Sequence, residues 1–340
     1  MTAALATPRW RLSYIPALDG LRGVAVLLVM GYHFQVPGFR HGGATGVAMF
    51  FALSGFLITS LLLEERTRTG RIDFAAFYRR RARRLLPALA VVLISVLLVA
   101  AILDEFDQIA LPAAAAAFYV ANWAYWFGWA EMGPLTHTWT LAVEEQFYLA
   151  WPLIVGAAFA AARWVRWSGV ASGLALVIVL QQGGLAILAG SALAVLMHTN
   201  RAQRAPVWLA AGALAVILAP SWLAVEMAPG IALIGLLTTP IIACLARSQT
   251  TLGRLFALPP LRRIGRISYG LYLWHVPLTW LALHRLGWPL PDVGVAAVLA
   301  LASFAIALAS WRWVEAPALA HGRPVIATGA RRGSPAGQPL

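Results

Sequence analysis

Apolar runs of membrane-crossing length recur along this chain, separated by short polar segments that are rich in arginine. A helix needs about 20 apolar residues to cross the roughly 30 Å hydrocarbon core of a bilayer. Runs near that length cover residues 17–34, 44–63, 86–103, 139–162, 168–181, 184–199, 206–222, 229–246, 267–284 and 293–313. The pattern predicts an all-α membrane protein, a polytopic bundle of about ten transmembrane helices. The fifth and sixth runs are short and meet at Gln181-Gln182-Gly183-Gly184. Between the third and fourth runs, residues 104–138 carry no arginine, open with Asp104, Glu105 and Asp107, and are rich in Trp and Tyr from Tyr119 to Trp129. That composition suits an interfacial aromatic belt. The segment is expected outside, with 108–127 lying in the interface or dipping into the membrane.

Composition supports the membrane reading and charge orients it. Of 340 residues, 61% are hydrophobic and 11% charged, against about 25% charged in soluble domains, and the mean hydropathy is +0.75. All 26 basic residues are arginine, and the formal charge is +13. In a soluble protein this balance would suggest nucleic acid. Here the arginines sit between apolar runs, so positive-inside topology is the better account. With the N-terminus in the cytoplasm, Arg9, Arg11, the run from Arg66 to Arg84, Arg163, Arg166, Arg201, Arg204, Arg247, Arg254, Arg262, Arg263, Arg266, Arg323, Arg331 and Arg332 all fall inside, leaving Arg40 and Arg285 outside. Both termini are therefore expected in the cytoplasm, and the partner surface is the lipid bilayer, not nucleic acid. The expected organisation is a cytoplasmic segment over 1–16, a transmembrane domain over 17–316 and a disordered cytoplasmic tail over 317–340. Arg9 and Arg11 lead into Pro16 and a span expected to be retained, with no cleavable-signal pattern. The single cysteine, Cys244, excludes a disulfide framework and cysteine-type metal spacing, and no metal site is expected.

Against this apolar background the polar residues within the spans stand out. Arg22 and His33 in the first span are eleven residues apart, about three turns, so both leave one face about 16 Å apart along the axis. Asp19 lies three residues before Arg22, close enough to pair. Such residues mark either a functional path or an interfacial salt bridge with a boundary histidine. The fourth span opens with HTWTLAVEEQFYLAWPL. Glu144 and Tyr148 share a helical face, with His137 and Trp139 just before them, while Glu145 is expected to reach the outer surface by snorkelling. His275 lies within ISYGLYLWHVP, where a lone histidine is ordinarily a packed residue. The run FYRRRARRLLP serves as topology signal and headgroup contact, or as a receptor for phosphates, which match the arginine fork.

Taken in order, ALDGLRGVAVLLVMGYH, FFALSGFLIT (with Ser54), FYRRRARRLLP, HTWTLAVEEQFYLAWP, ISYGLYLWHVP and the terminal WVEAP resemble the acyltransferase-3 family of membrane acyltransferases from about Pro16 to Pro317. The family usually has serine where this chain has Thr140. Relatives often carry a longer outer loop where this chain has only QQGG, between Trp167 and Gly190. The resemblance implies an O-acyltransferase of the plasma (inner) membrane. Its donor would be cytoplasmic acyl-CoA, acetyl-CoA by default, as a co-substrate with no bound cofactor. Its acceptor would be a carbohydrate or glycosylated small molecule reached from outside. His33 would be essential and Arg22 close behind. On that reading His33 takes the acceptor proton, since an imidazole titrates near working pH, and Glu144 supports the imidazolium if packing joins their helices. Arg22, Arg80, Arg81 and Arg84 hold the donor phosphates, and Ser54, His137, Tyr148 and His275 have acceptor or supporting roles. Buried Arg, His and Glu also mark transporters, and a non-catalytic envelope scaffold is a third reading.

Overall fold

A computed structural model describes residues 14–159, 183–199, 206–218, 228–247 and 250–320. These residues form helices joined by turns, with no strand among them. In chain order the helices are α1 (Pro16–His33), α2 (Gly42–Thr69), α3 (Phe74–Ile102), α4 (Phe106–Ala117), α5 (Ala121–Trp126), a 3-10 turn (Gly133–Leu135), α6 (Thr138–Ala158), α7 (Gly184–His198), α8 (Val207–Leu218), α9 (Ala228–Arg247), α10 (Thr251–Phe256), α11 (Pro259–Arg266), α12 (Ser268–His284), α13 (Val293–Ser310), a π turn (Trp311–Glu315) and α14 (Ala316–Ala320).

Three described helical stretches are long and apolar enough to cross a membrane: α2, α3 and the continuous helix Val293–Ala320. α7, α8 and part of α9 are shorter apolar helices, while α1, α6 and α12 carry the polar residues of interest. The run at 168–181, the Gln181-Gln182 pair, Arg9, Arg11 and residues 321–340 lie outside the described residues. Two boundaries differ from the hydropathy reading. α2 continues to Thr69 and carries Arg66 and Arg68 in its last turn, and α3 starts at Phe74, so Arg79 to Arg84 lie in the early turns of a helix instead of a loop. Asp73 caps that start by accepting from the Ala76 N–H at 2.9 Å. Gly70, at φ +77°, closes α2 in the left-handed conformation that glycine adopts readily. The last helix runs to Ala320, four residues into the region expected as tail.

Within 104–138 the helices are short. α4 has 12 residues, about 18 Å at 1.5 Å per residue, and α5 has six. Neither is long enough to cross a bilayer.

Glycines set the closest helix approaches. A Cβ at Gly55 would collide with the Ile187 carbonyl, and one at Gly190 with that of Ala52, so α2 and α7 pack backbone to backbone. α1 meets α10 and α11 in the same way, through Gly20 against Phe256 and Gly265 against Asp19. Such small-residue seams are how helices gain packing where lipid offers no hydrophobic drive. Phe51, Phe56, Phe147 and Leu21 fill the core. Leu98, Ile102, Leu301 and Trp313 remain exposed on α3 and the final helix, a surface suited to hydrocarbon.

Candidate functional site: an arginine cluster, a narrow pocket and a histidine cluster

His33 is the last residue of α1 and half-buried. Its Nδ1 lies 3.0 Å from the Val29 carbonyl and 3.2 Å from Nε2 of His275. The two ring centroids are 4.8 Å apart. His275 is therefore not a lone packed residue, as its position in α12 suggested, but the middle member of a group of three. His137, at the N-cap of α6, has its ring centroid 5.4 Å from that of His275 and its Nε2 3.2 Å from the Leu273 carbonyl. Tyr272 binds the group from α12: its hydroxyl donates to the His137 carbonyl at 3.0 Å and shares a short hydrogen bond with Thr140. His33, His137 and Tyr272 line a cavity of about 400 Å³ together with Arg40, Trp126 and Trp139.

Arg22 points elsewhere on the same helix. It donates to Ser268 from Nε at 3.3 Å and from Nη2 at 3.2 Å. The expected Asp19–Arg22 pair does not form. Asp19 instead accepts from the Tyr14 hydroxyl at 2.7 Å and lies 3.9 Å from Arg266. The reason is the glycine seam, which brings α11 close enough to α1 for Arg266 to reach Asp19. Arg22 lines a narrow pocket of about 50 Å³ with Glu144, Phe50, Phe51, Ser268 and Tyr269. This pocket shares Val47, Thr140 and Tyr272 with the cavity at His33.

Glu144 belongs to this neck and not to His33. It accepts from Ser54 at 2.7 Å. No hydrogen bond among the described residues joins Glu144 to His33, which corrects the expectation that this carboxylate braces the imidazole. Glu145 also departs from expectation. It does not snorkel to the outer surface but pairs with Arg81 at 3.4 Å, because α3 packs its arginine-bearing turns beside α6. The Arg81 guanidinium stacks 3.6 Å above the Tyr148 ring, and its Nε has no hydrogen-bond partner.

At the arginine-rich end a cavity of about 600 Å³ is lined by Arg80, Arg81, Arg84, Arg68, Arg83 and Glu65. Arg80 lies 3.8 Å from Glu65, but at 61% exposure that pair contributes little stability. Arg84 is within electrostatic reach of Arg22, and Arg81 of Glu144. The arginine-lined cavity and this narrow pocket have no lining residue in common. Of the residues singled out in the sequence, the structure places Arg22, Arg80, Arg81, Arg84, Glu144, Ser54 and Tyr148 in this half and His33, His137 and His275 in the other. Sequence reasoning missed Ser268, Tyr272, Thr140, Arg40 and Trp126. The spacing of Ser268, Tyr272 and His275, at i, i+4 and i+7, marks one helix face and was the available signal.

The model of a family described as an acyltransferase domain, acyltransferase-3, matches residues 15–312. The chain is 30% identical to the peptidoglycan O-acetyltransferase OatA of Listeria monocytogenes, over 93% of this chain and 57% of that protein. It is 33% identical to the putative peptidoglycan O-acetyltransferase YrhL of Bacillus subtilis, over 83% of this chain and 50% of that one. A putative O-acetyltransferase of Staphylococcus aureus is 34% identical over 78% of this chain and 50% of its own length. The chain thus spans about half the length of these relatives. No solved structure matches.

Proposed function

The chain belongs to the acyltransferase-3 family, and on that premise we propose that it is a membrane-bound O-acyltransferase that moves an acetyl group from acetyl-CoA to a carbohydrate hydroxyl. The observation that carries this reading is the series of spaces: an arginine-lined cavity, a neck at Arg22 and Glu144, and a histidine-lined cavity sharing the neck's walls.

The arginine distribution favours about ten spans with both termini, and the arginine cavity, on the cytoplasmic side of the plasma membrane. There Arg81 and Arg84 receive the donor phosphates. The unpartnered Nε of Arg81 offers a charge-assisted bond to a phosphate oxygen, and Arg80 and Arg22 add positive charge on either side. The thiol arm then extends through the neck toward His33. At about 50 Å³ the neck holds a few waters but not that arm, so donor entry requires Phe50, Phe51 or Tyr272 to turn aside. Glu144, anchored by Ser54, keeps the neighbouring Arg22 and Arg81 aligned.

In the reaction, His33 accepts the proton of the acceptor hydroxyl as its oxygen attacks the thioester carbonyl. The carbon–sulfur bond breaks, the acetyl ester forms, and the leaving CoA thiolate recovers the proton from His33. Trp126 and Trp139 at the histidine cavity give a sugar ring an aromatic surface. The names of the relatives favour an envelope carbohydrate as acceptor.

The test supplies radiolabelled acetyl-CoA to the chain in sealed vesicles, on the arginine side only, with N-acetylglucosamine–N-acetylmuramic acid oligomers on the other. Labelled ester on the oligomers with stoichiometric CoA release is the expected result. Oligomer transport without CoA release would replace the enzyme reading with a transporter.

A further inference from the structure

We propose that His275 is a positioning residue that fixes the tautomer of His33, so that Nε2 of His33 is the nitrogen that accepts the hydroxyl proton. The inference rests on the reading of His33 as the base and deepens it.

His275 is anchored by carbonyls of its own helix. Its Nδ1 lies 2.7 Å from the Tyr272 carbonyl and 3.2 Å from that of Leu271. Carbonyl oxygens only accept, so this nitrogen carries the ring proton. In a neutral imidazole the other nitrogen is then a bare acceptor. That acceptor, Nε2, faces Nδ1 of His33 at 3.2 Å. The same Nδ1 has the Val29 carbonyl at 3.0 Å. Two acceptors around one nitrogen call for a proton on it, because the opposite tautomer would set lone pair against lone pair. His33 Nδ1 is thus the protonated nitrogen, and Nε2 remains unprotonated for the cavity that His33 lines. The hydrogen bond made by one ring nitrogen determines the role of the other.

Burial gives this contact its strength. His275 is fully buried, 0% exposed, so water cannot replace its Nε2 as the acceptor facing His33. Its ring is held by backbone carbonyls of α12, and the T-shaped contact between the rings, at 72°, sets the plane of His33. The Val29 carbonyl shares the Nδ1 proton from within α1, and His275 adds the acceptor contributed by another helix. A neutral imidazole also does this work without adding a net charge within the bilayer, where charge is costly. During transfer, His33 becomes an imidazolium when Nε2 takes the hydroxyl proton, and its Nδ1–H stays donated to His275. The proton leaves from Nε2 to the departing thiolate. His275 neither gains nor loses a proton and touches no reacting atom.

Two readouts test this. Solid-state NMR of the full chain with isotope-labelled histidine reports which imidazole nitrogens carry protons, and a His33→Gln spectrum identifies the His33 signals. The expected result for the wild-type chain is a proton on Nδ1 of His33. A proton on Nε2 instead overturns the proposal. The second readout is acetyl transfer from acetyl-CoA to N-acetylglucosamine–N-acetylmuramic acid oligomers. His275→Leu removes the acceptor and is expected to lower kcat at least about tenfold, part of the roughly 10²–10⁴ that general base catalysis contributes, with an unchanged KM for acetyl-CoA. His275→Gln, which keeps an acceptor oxygen, is expected to recover much of the loss. Equal kcat in wild type and His275→Leu overturns the positioning role, as does a Leu loss that Gln does not relieve. A fully active His33→Ala would instead remove the base reading and leave the tautomer assignment standing, so the two failures are distinguishable.

Discussion

The hydrogen bond between Ser54 and Glu144 allows a quantitative test of how the neck is built. Ser54→Ala removes the donor 2.7 Å from the carboxylate, and Glu144→Gln keeps the shape while removing the charge. Hydrogen bonds to charged groups contribute about 1.5–3 kcal/mol. If that energy holds Glu144 in place against the neighbouring arginines, its loss lowers kcat/KM about 10- to 150-fold, at about 1.4 kcal/mol per decade. The two residues act as one unit, so the double variant should be no worse than Glu144→Gln alone. The coupling free energy from the cycle should then equal most of the Ser54→Ala effect, within the roughly 0.5–3 kcal/mol seen for contacting residues. The assay is acetyl transfer with varied acetyl-CoA, paired with thermal unfolding in detergent to separate lost folding from lost alignment. Full activity in Glu144→Gln, or single-variant losses that simply multiply, would refute the reasoning and leave Glu144 a structural residue.

Three further outcomes follow from other parts of the structure. Gly55→Leu forces side-chain atoms into the Ile187 carbonyl and should destabilise the α2–α7 seam by at least about 1–3 kcal/mol, read as a lower Tm in detergent; an unchanged Tm would contradict the close packing. Arg84→Ala should raise KM for acetyl-CoA about tenfold or more while changing kcat little, since it removes one charged partner of the donor; a kcat effect without a KM effect would move Arg84 out of donor binding. Cys244 is buried and is the only cysteine, which simplifies topology mapping: in a Cys244→Ala chain, a membrane-impermeant maleimide added to intact cells should label Arg40→Cys and not Arg79→Cys. The reverse labelling would invert the proposed orientation.

The helical class and most of the polar residues that line these cavities were legible in the sequence, because charges and imidazoles are conspicuous against apolar runs. The sequence was weaker on boundaries and on partners. Hydropathy started the third span at residue 86 because it cannot register a charged turn as part of a membrane helix, whereas Asp73 caps α3 twelve residues before Leu85 ends the arginine run. The pairing rules for neighbours on one helix suggested Asp19 with Arg22, yet the glycines that seat α11 on α1 give Asp19 a partner 247 residues away. The same limit applies to His33 and His275, which are 242 residues apart and meet only through the packing of α1 and α12. Glu144 is conspicuous in the sequence as a carboxylate within an apolar run. Its assignment to the imidazole depended on helix rotation, which turns it to Ser54 and the arginines instead.

In the proposed reaction His33 removes the proton from an acceptor hydroxyl within reach of a donor held by the arginines. The most direct measurement compares wild type and His33→Ala, both shown to bind acetyl-CoA by calorimetry, in single-turnover transfer of radiolabel to the oligomeric acceptor. The account predicts matching donor affinity and a transfer rate at least about 10²-fold lower in the variant. Equal transfer rates with equal donor binding would contradict it.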